Sequence, residues 1–94
     1  MLLTDETTTT TWRKLITNEM EEHHDAWENV VSCTLNDDLL DVSFYANYGD
    51  PEGAPFTLWT VTRVYFPVVY DGLEWCASVA RHPDATPTEH VGSW

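Results

Sequence analysis

The chain has 94 residues, a formal charge of −12 at neutral pH, and a 43% apolar fraction that includes twelve Trp, Tyr and Phe. This length makes one domain with a small core, and so many aromatics exclude a disordered acidic tail. The charge excludes direct binding to nucleic acid or to an anionic membrane, because both are polyanions.

Residues 1–10 read as a flexible acidic, Thr-rich tail, since Thr7 to Thr11 carries no apolar period to bury. The domain proper spans 11–82. Trp12, Leu15, Ile16, Met20 and Trp27 recur at offsets 0, 3, 4, 8 and 15, one face of a 3.6-residue period, so a helix is expected over about 12–24. Thr10 or Thr11 is its N-cap. Val30 to Leu35 is short and β-branched, hence a strand. Asn36-Asp37-Asp38 is a helix-start signature, so one helical turn and an extended exit follow, although Leu40, Val42 and Phe44 also fit a strand. Asn47 to Pro55 is a loop by its Gly and Pro content.

Phe56 to Val61, Val64 to Tyr70 and Leu73 to Ala80 read as antiparallel strands, the last two joined by Asp71-Gly72, a two-residue type I′ turn. That turn sets Tyr70 opposite Leu73, Val68 opposite Trp75, Phe66 opposite Ala77 and Val64 opposite Val79. Every pair is apolar and all lie on one side, which marks that side as the core face. Tyr65, Pro67 and Val69 oppose Ser78, Cys76 and Glu74 on the other side. Pro67 lacks an N–H, so its strand has an unpaired side or a bulge there. Residues 83–94 read as a loose C-terminal tail. The fold class is α+β, an N-terminal helix on a roughly four-stranded antiparallel sheet, with Trp12, Trp27 and Trp75 in the shared core.

No catalytic frame emerges. Cys33 and Cys76 stand alone, adjacent His23 and His24 point about 100° apart on a helix, and neither Cys-x-x-Cys nor His-x-x-x-His occurs. Reduced, metal-free thiols are expected. The four glycines are isolated, so no phosphate-cradling loop forms, and Cys76 is mid-strand, a poor place for a nucleophile. The expectation is a protein that is not an enzyme and takes no cofactor. No apolar stretch approaches the ~20 residues that span a bilayer, and the N-terminus is acidic. A soluble, cytoplasmic protein is expected, as a monomer or weak homodimer.

The informative feature is where the charge sits. The first 52 residues carry twelve acids against Arg13 and Lys14, and the remaining 42 carry four acids against Arg63 and Arg81, so the charge divides as −10 and −2. Glu19, Glu21, Glu22, Asp25, Glu28, Asp37, Asp38, Asp41, Asp50 and Glu52 are the candidate partner-binding residues. Helix acids three or four residues apart lie ~5–6 Å from one another, a spacing able to imitate phosphates if the groups converge. Glu21, Glu22 and Asp25 also oppose the helix dipole, which prefers cations at its C-terminus. The partner expected is a basic nucleic-acid-binding protein, with Tyr45, Tyr48 or Trp59 as apolar anchors. The competing explanation of the same acids is solvation alone, as in salt-adapted proteins, but salt adaptation spreads acids over both halves. A small-ligand or regulatory module on the Tyr- and Trp-lined sheet is a third possibility.

In size, acidity and single-domain character the chain is similar to small phage-encoded inhibitors of host defence, the anti-CRISPR and anti-restriction DNA mimics. The segment Arg-Val-Tyr-Phe-Pro-Val-Val-Tyr-Asp-Gly-Leu-Glu-Trp, residues 63–75, resembles uncharacterised phage and prophage proteins. The first resemblance implies an inhibitor of a host defence complex, acting in the host cytoplasm. Neither carries catalytic residues.

Overall fold

A computed structural model of the chain describes residues 9–46, 52–70 and 72–92. Thr11 opens helix α1 (Trp12–Glu22): its backbone is extended and its hydroxyl accepts the Lys14 N–H at 3.2 Å. The helical period then brings Trp12, Ile16 and Met20 onto one side, all fully buried. The helix stops at Glu22, a fraction of a turn short of the expected end. His24 takes a left-handed backbone (φ +57°), the Asp25 N–H reaches back to the Met20 carbonyl at 2.8 Å, and the His24 N–H to that of Glu21 at 3.5 Å. This is the Schellman arrangement, usually built on glycine. No glycine marks it in the sequence, so the periodicity overran it. Trp27 lies beyond α1, in a 3₁₀ turn (Trp27–Asn29). It packs against the core, and its indole N–H donates to Thr17 Oγ1 at 2.9 Å.

The chain continues through β1 (Val30–Cys33), α2 (Asp37–Leu40), β2 (Leu58–Thr60), β3 (Arg63–Tyr70) and β4 (Leu73–Ala80). The single helical turn α2 is capped as its Asn-Asp-Asp start implies, with the Asn36 side chain accepting the Leu39 N–H at 2.9 Å. The strands form one antiparallel sheet in the order β1-β2-β3-β4. The fold is therefore α+β, with α1 laid over the sheet. Among the described residues no helix is long and apolar enough to cross a membrane.

The β3–β4 hairpin has the expected register throughout, from Tyr70 opposite Leu73 to Val64 opposite Val79. Gly72 supplies a positive φ of 82° at the connection, while Asp71 lies outside the described residues. Pro67 faces the β2 side, beyond the last β2 pairing at Tyr65, so its missing N–H interrupts no ladder bond.

The core face, however, is the opposite one. Tyr65 (0% exposed) and Cys76 (2%) lie beneath α1 with Leu58, whereas Trp75, expected in that core, is half-buried on the far side. Hydrogen bonding decides the matter over hydropathy. On the helix side the Tyr65 hydroxyl donates to Asp25 at 2.7 Å, Ser78 Oγ donates to Glu19 at 2.8 Å, and Glu74 accepts two backbone N–H groups. Satisfied polar groups bury at little cost. The apolar face is not left bare. Val68 and Ala77 are buried there, and the segment from Asp84 to Val91 comes against Trp75, Ala77 and Val79 across a cleft.

Trp12 organises the loop end of the core. Its ring lies 5.0 Å from that of Phe44 and 4.7 Å from that of Phe56, and its indole N–H donates to the Ala54 carbonyl at 2.9 Å. Gly53 passes so close that a Cβ would come within 2.6 Å of Trp12 Cζ2 and 2.9 Å of Phe44 Cζ. Only glycine fits there.

Candidate acidic interface

Four of the expected partner-binding acids project into water. Glu21 and Glu22 stand on the last turn of α1, Glu28 in the 3₁₀ turn and Asp38 on α2; all are exposed, and no described residue donates to them. Asp37 and Asp41 are exposed too, but Arg13 bridges them. Its Nη2 lies 3.2 Å from Asp37 Oδ1 and its Nε 2.7 Å from Asp41 Oδ1, while the guanidinium stacks over Trp27 at 5.0 Å. One cation in a chain with four Lys and Arg is thus taken up bridging that pair, which it only half neutralises.

Asp25 and Glu19 turn inward. Asp25 is half-buried at the Schellman turn and accepts four hydrogen bonds: from Ala26 N (2.9 Å), Asn29 Nδ2 (3.0 Å), Thr60 Oγ1 (2.7 Å) and the Tyr65 hydroxyl (2.7 Å). Burial pushes its carboxyl up, but donation from Asn29, Tyr65, Thr60 and Ala26 outweighs that and holds it below the ordinary carboxylate range. Tyr65 responds in the opposite sense, its hydroxyl pushed up by burial and by the Asp25 carboxylate. Glu19 leans onto β4, accepting Ser78 Oγ at 2.8 Å and lying 3.1 Å from His23 Nε2. Glu52 is exposed and accepts the Tyr45 N–H at 3.4 Å; Asp50 lies outside the described residues. The expected anchors divide likewise. Tyr45 is half-buried, Trp59 pairs with Val64 on the side away from α1, and Tyr48 lies outside the described residues.

Glu74 escaped the sequence reading. It is 7% exposed, and its carboxylate accepts Glu52 N at 2.7 Å and Gly53 N at 3.0 Å, pinning the loop that covers Trp12. Its partners are backbone groups more than twenty residues away, which no local pattern encodes.

The donor atoms of Glu19, Glu22 and His23 lie within 4.8 Å of one another, through i, i+3 and i, i+4 spacing across the end of α1. Two carboxylates and an imidazole suit a divalent cation chemically, though Glu22 and His23 face open water. Neither cysteine joins them. Cys33 and Cys76 are free thiols, and burial together with the Glu19 charge pushes the Cys76 thiol far up, away from the nucleophilic thiolate. Ser78 Oγ donates to a carboxylate and takes the Arg63 Nε–H at 2.8 Å, so it meets no imidazole base. None of the family models, curated proteins or solved structures compared with the chain matches it.

Proposed function

We propose that the protein is a non-enzymatic acidic binding protein that occupies the basic surface of a nucleic-acid-handling partner and excludes its nucleic acid. One observation carries the reading: Glu21, Glu22, Glu28 and Asp38 are held in water without a neutralising neighbour among the described residues, on a molecule of charge −12. Unneutralised like charges oppose compaction, and here two of them also oppose the α1 dipole. A basic partner relieves both costs on binding. The resemblance to phage anti-defence proteins supports the same mode of action, with a host defence complex as the partner and the host cytoplasm as the compartment.

The test is capture from a host lysate at low salt, followed by competition. The retained protein should be basic, its affinity should fall steeply between about 50 and 300 mM salt, and added DNA or RNA should displace it. Retention of acidic or neutral proteins only, or of a basic one indifferent to nucleic acid, would refute the proposal.

A further inference from the structure

The edge of β4 offers a site of a different kind. In the observed register the N–H of Arg81 bonds inward to Thr62 and that of Glu74 outward to Ala46. Alternation along the strand therefore turns the N–H and C=O of Ser78 and Ala80 outward as well. Among the described residues no strand pairs with β4 on that side, and none accepts the Ser78 or Ala80 N–H. The Ser78 carbonyl takes one hydrogen bond, from Arg63 Nη2 at 3.2 Å, which leaves it a second lone pair. At the hairpin end the edge is already closed by Ala46. Towards Ala80 it opens into a cleft of ≈ 570 Å³ between the end of α1 and the segment 84–91.

The walls of this cleft are acidic. Glu19 and Glu22 line it from α1, and Asp84 and Glu89 from the opposite segment, with Arg63 as the one Lys or Arg among the lining residues. Its two sides also differ. Ser78 and Ala80 point to the α1 side, towards Glu19 and Glu22, whereas Trp75, Ala77 and Val79 point to the far side. Side chains of an added strand alternate in the same way. We infer that this cleft receives an extended segment of a partner protein as a fifth strand on β4, and that the segment alternates basic and apolar residues. Its basic side chains meet Glu19 and Glu22, and its apolar ones rest on Trp75 and Val79. Main-chain bonds to Ser78 and Ala80 supply affinity, and the alternation supplies selectivity. The inference rests on the proposed function only for the positive charge of the partner.

The probe is a fluorescein-labelled Lys-Val-Lys-Val-Lys-Val peptide, compared with the same peptide N-methylated at alternate amides and with its Glu-Val counterpart, by anisotropy at low salt. The Lys-Val peptide should bind, with N-methylation in one of the two registers weakening it about tenfold or more and the Glu-Val peptide not binding. Amide exchange at Ser78 and Ala80 should slow at least about tenfold on saturation. Glu22→Gln with Glu89→Gln, both at exposed positions, should weaken the complex several-fold and leave the fold unchanged. Equal binding of the peptide and both methylated forms would show attraction by charge alone and overturn the strand addition. So would protection confined to residues 21–28, or no binding up to millimolar peptide. If a basic protein is captured from lysate while the peptide fails, the cleft is wrong and the acidic interface stands. If the peptide binds and no basic protein is captured, the reverse holds.

Discussion

Asp25 and Glu21 stand four residues apart at the same end of α1, and they do opposite things. Glu21 is held in water with no described donor. Asp25 turns in at the Schellman bend and collects four donors from the 3₁₀ turn and the sheet. The same contrast separates Glu74, which caps two loop amides from inside the fold, from Glu28 and Asp38, to which no described residue donates. Net charge is therefore a poor measure of what a partner meets. An acid counts in full towards the surface only where the fold supplies it no donors.

The largest effect should come from the inward group. Asp25→Asn puts an amide N–H among donors that now find carboxylate oxygens, leaving the Thr60 or Tyr65 hydroxyl unsatisfied, and should cost about 2–4 kcal/mol in urea unfolding. A loss below about 1 kcal/mol would mean that Asp25 is no more structural than Glu21. Acid titration sharpens the point. The folded pKa of Asp25 lies below its unfolded value, so the stability it contributes is complete at neutral pH. That stability is lost as pH falls from the unfolded carboxyl range near ~4 through the lower folded value. In the Asp25→Asn variant that part of the acid limb should be flat.

The outward group predicts the reverse pattern. Glu21, Glu22 and Glu28 changed together to Gln should leave stability within about 0.5 kcal/mol or raise it, since two of them oppose the α1 dipole. Association with the proposed basic partner should slow about tenfold, with a shallower salt dependence. Asp25 has no place in such a variant, because its loss would confuse unfolding with loss of charge. Stopped-flow association and thermal melts on the same samples separate the two. Unchanged association with lowered stability would erase the distinction between the groups.

The sequence made the hairpin register legible because a two-residue Asp-Gly connection and an alternating pattern are both local. It made α1 legible up to Met20 for the same reason. The core face was misread because alternation ranks positions by hydropathy, while the fold ranked them by whether their polar atoms found partners. Tyr65, Glu74 and Ser78 meet Asp25, Glu52 and Glu19, and the nearest of these is 22 residues distant in sequence. The candidate site was legible as charge and illegible as geometry. Nothing local tells that Asp25 will be consumed inside, or that Arg13 will cross to Asp37 and Asp41.

The smallest effect tests the bend that separates Glu21 from Asp25. His24 has φ +57°, where a Cβ crowds the neighbouring carbonyl, a cost of about 1–2 kcal/mol for most residues and less for His, Asn and Asp. His24→Gly removes that cost, but it also loosens the unfolded chain, which offsets part of the gain. The net expectation is a stabilisation of about 0.5 kcal/mol, a rise of about 2–4 °C in melting temperature for a domain of this size. Association with the proposed basic partner should not change, because the exposed acids stay where they are. His24→Ala is the control. It keeps the Cβ and hence the strain, so it should gain nothing. If alanine stabilised as much as glycine, the cost would lie in the imidazole and not in the backbone, and the bend would be an ordinary helix end that happens to carry a histidine.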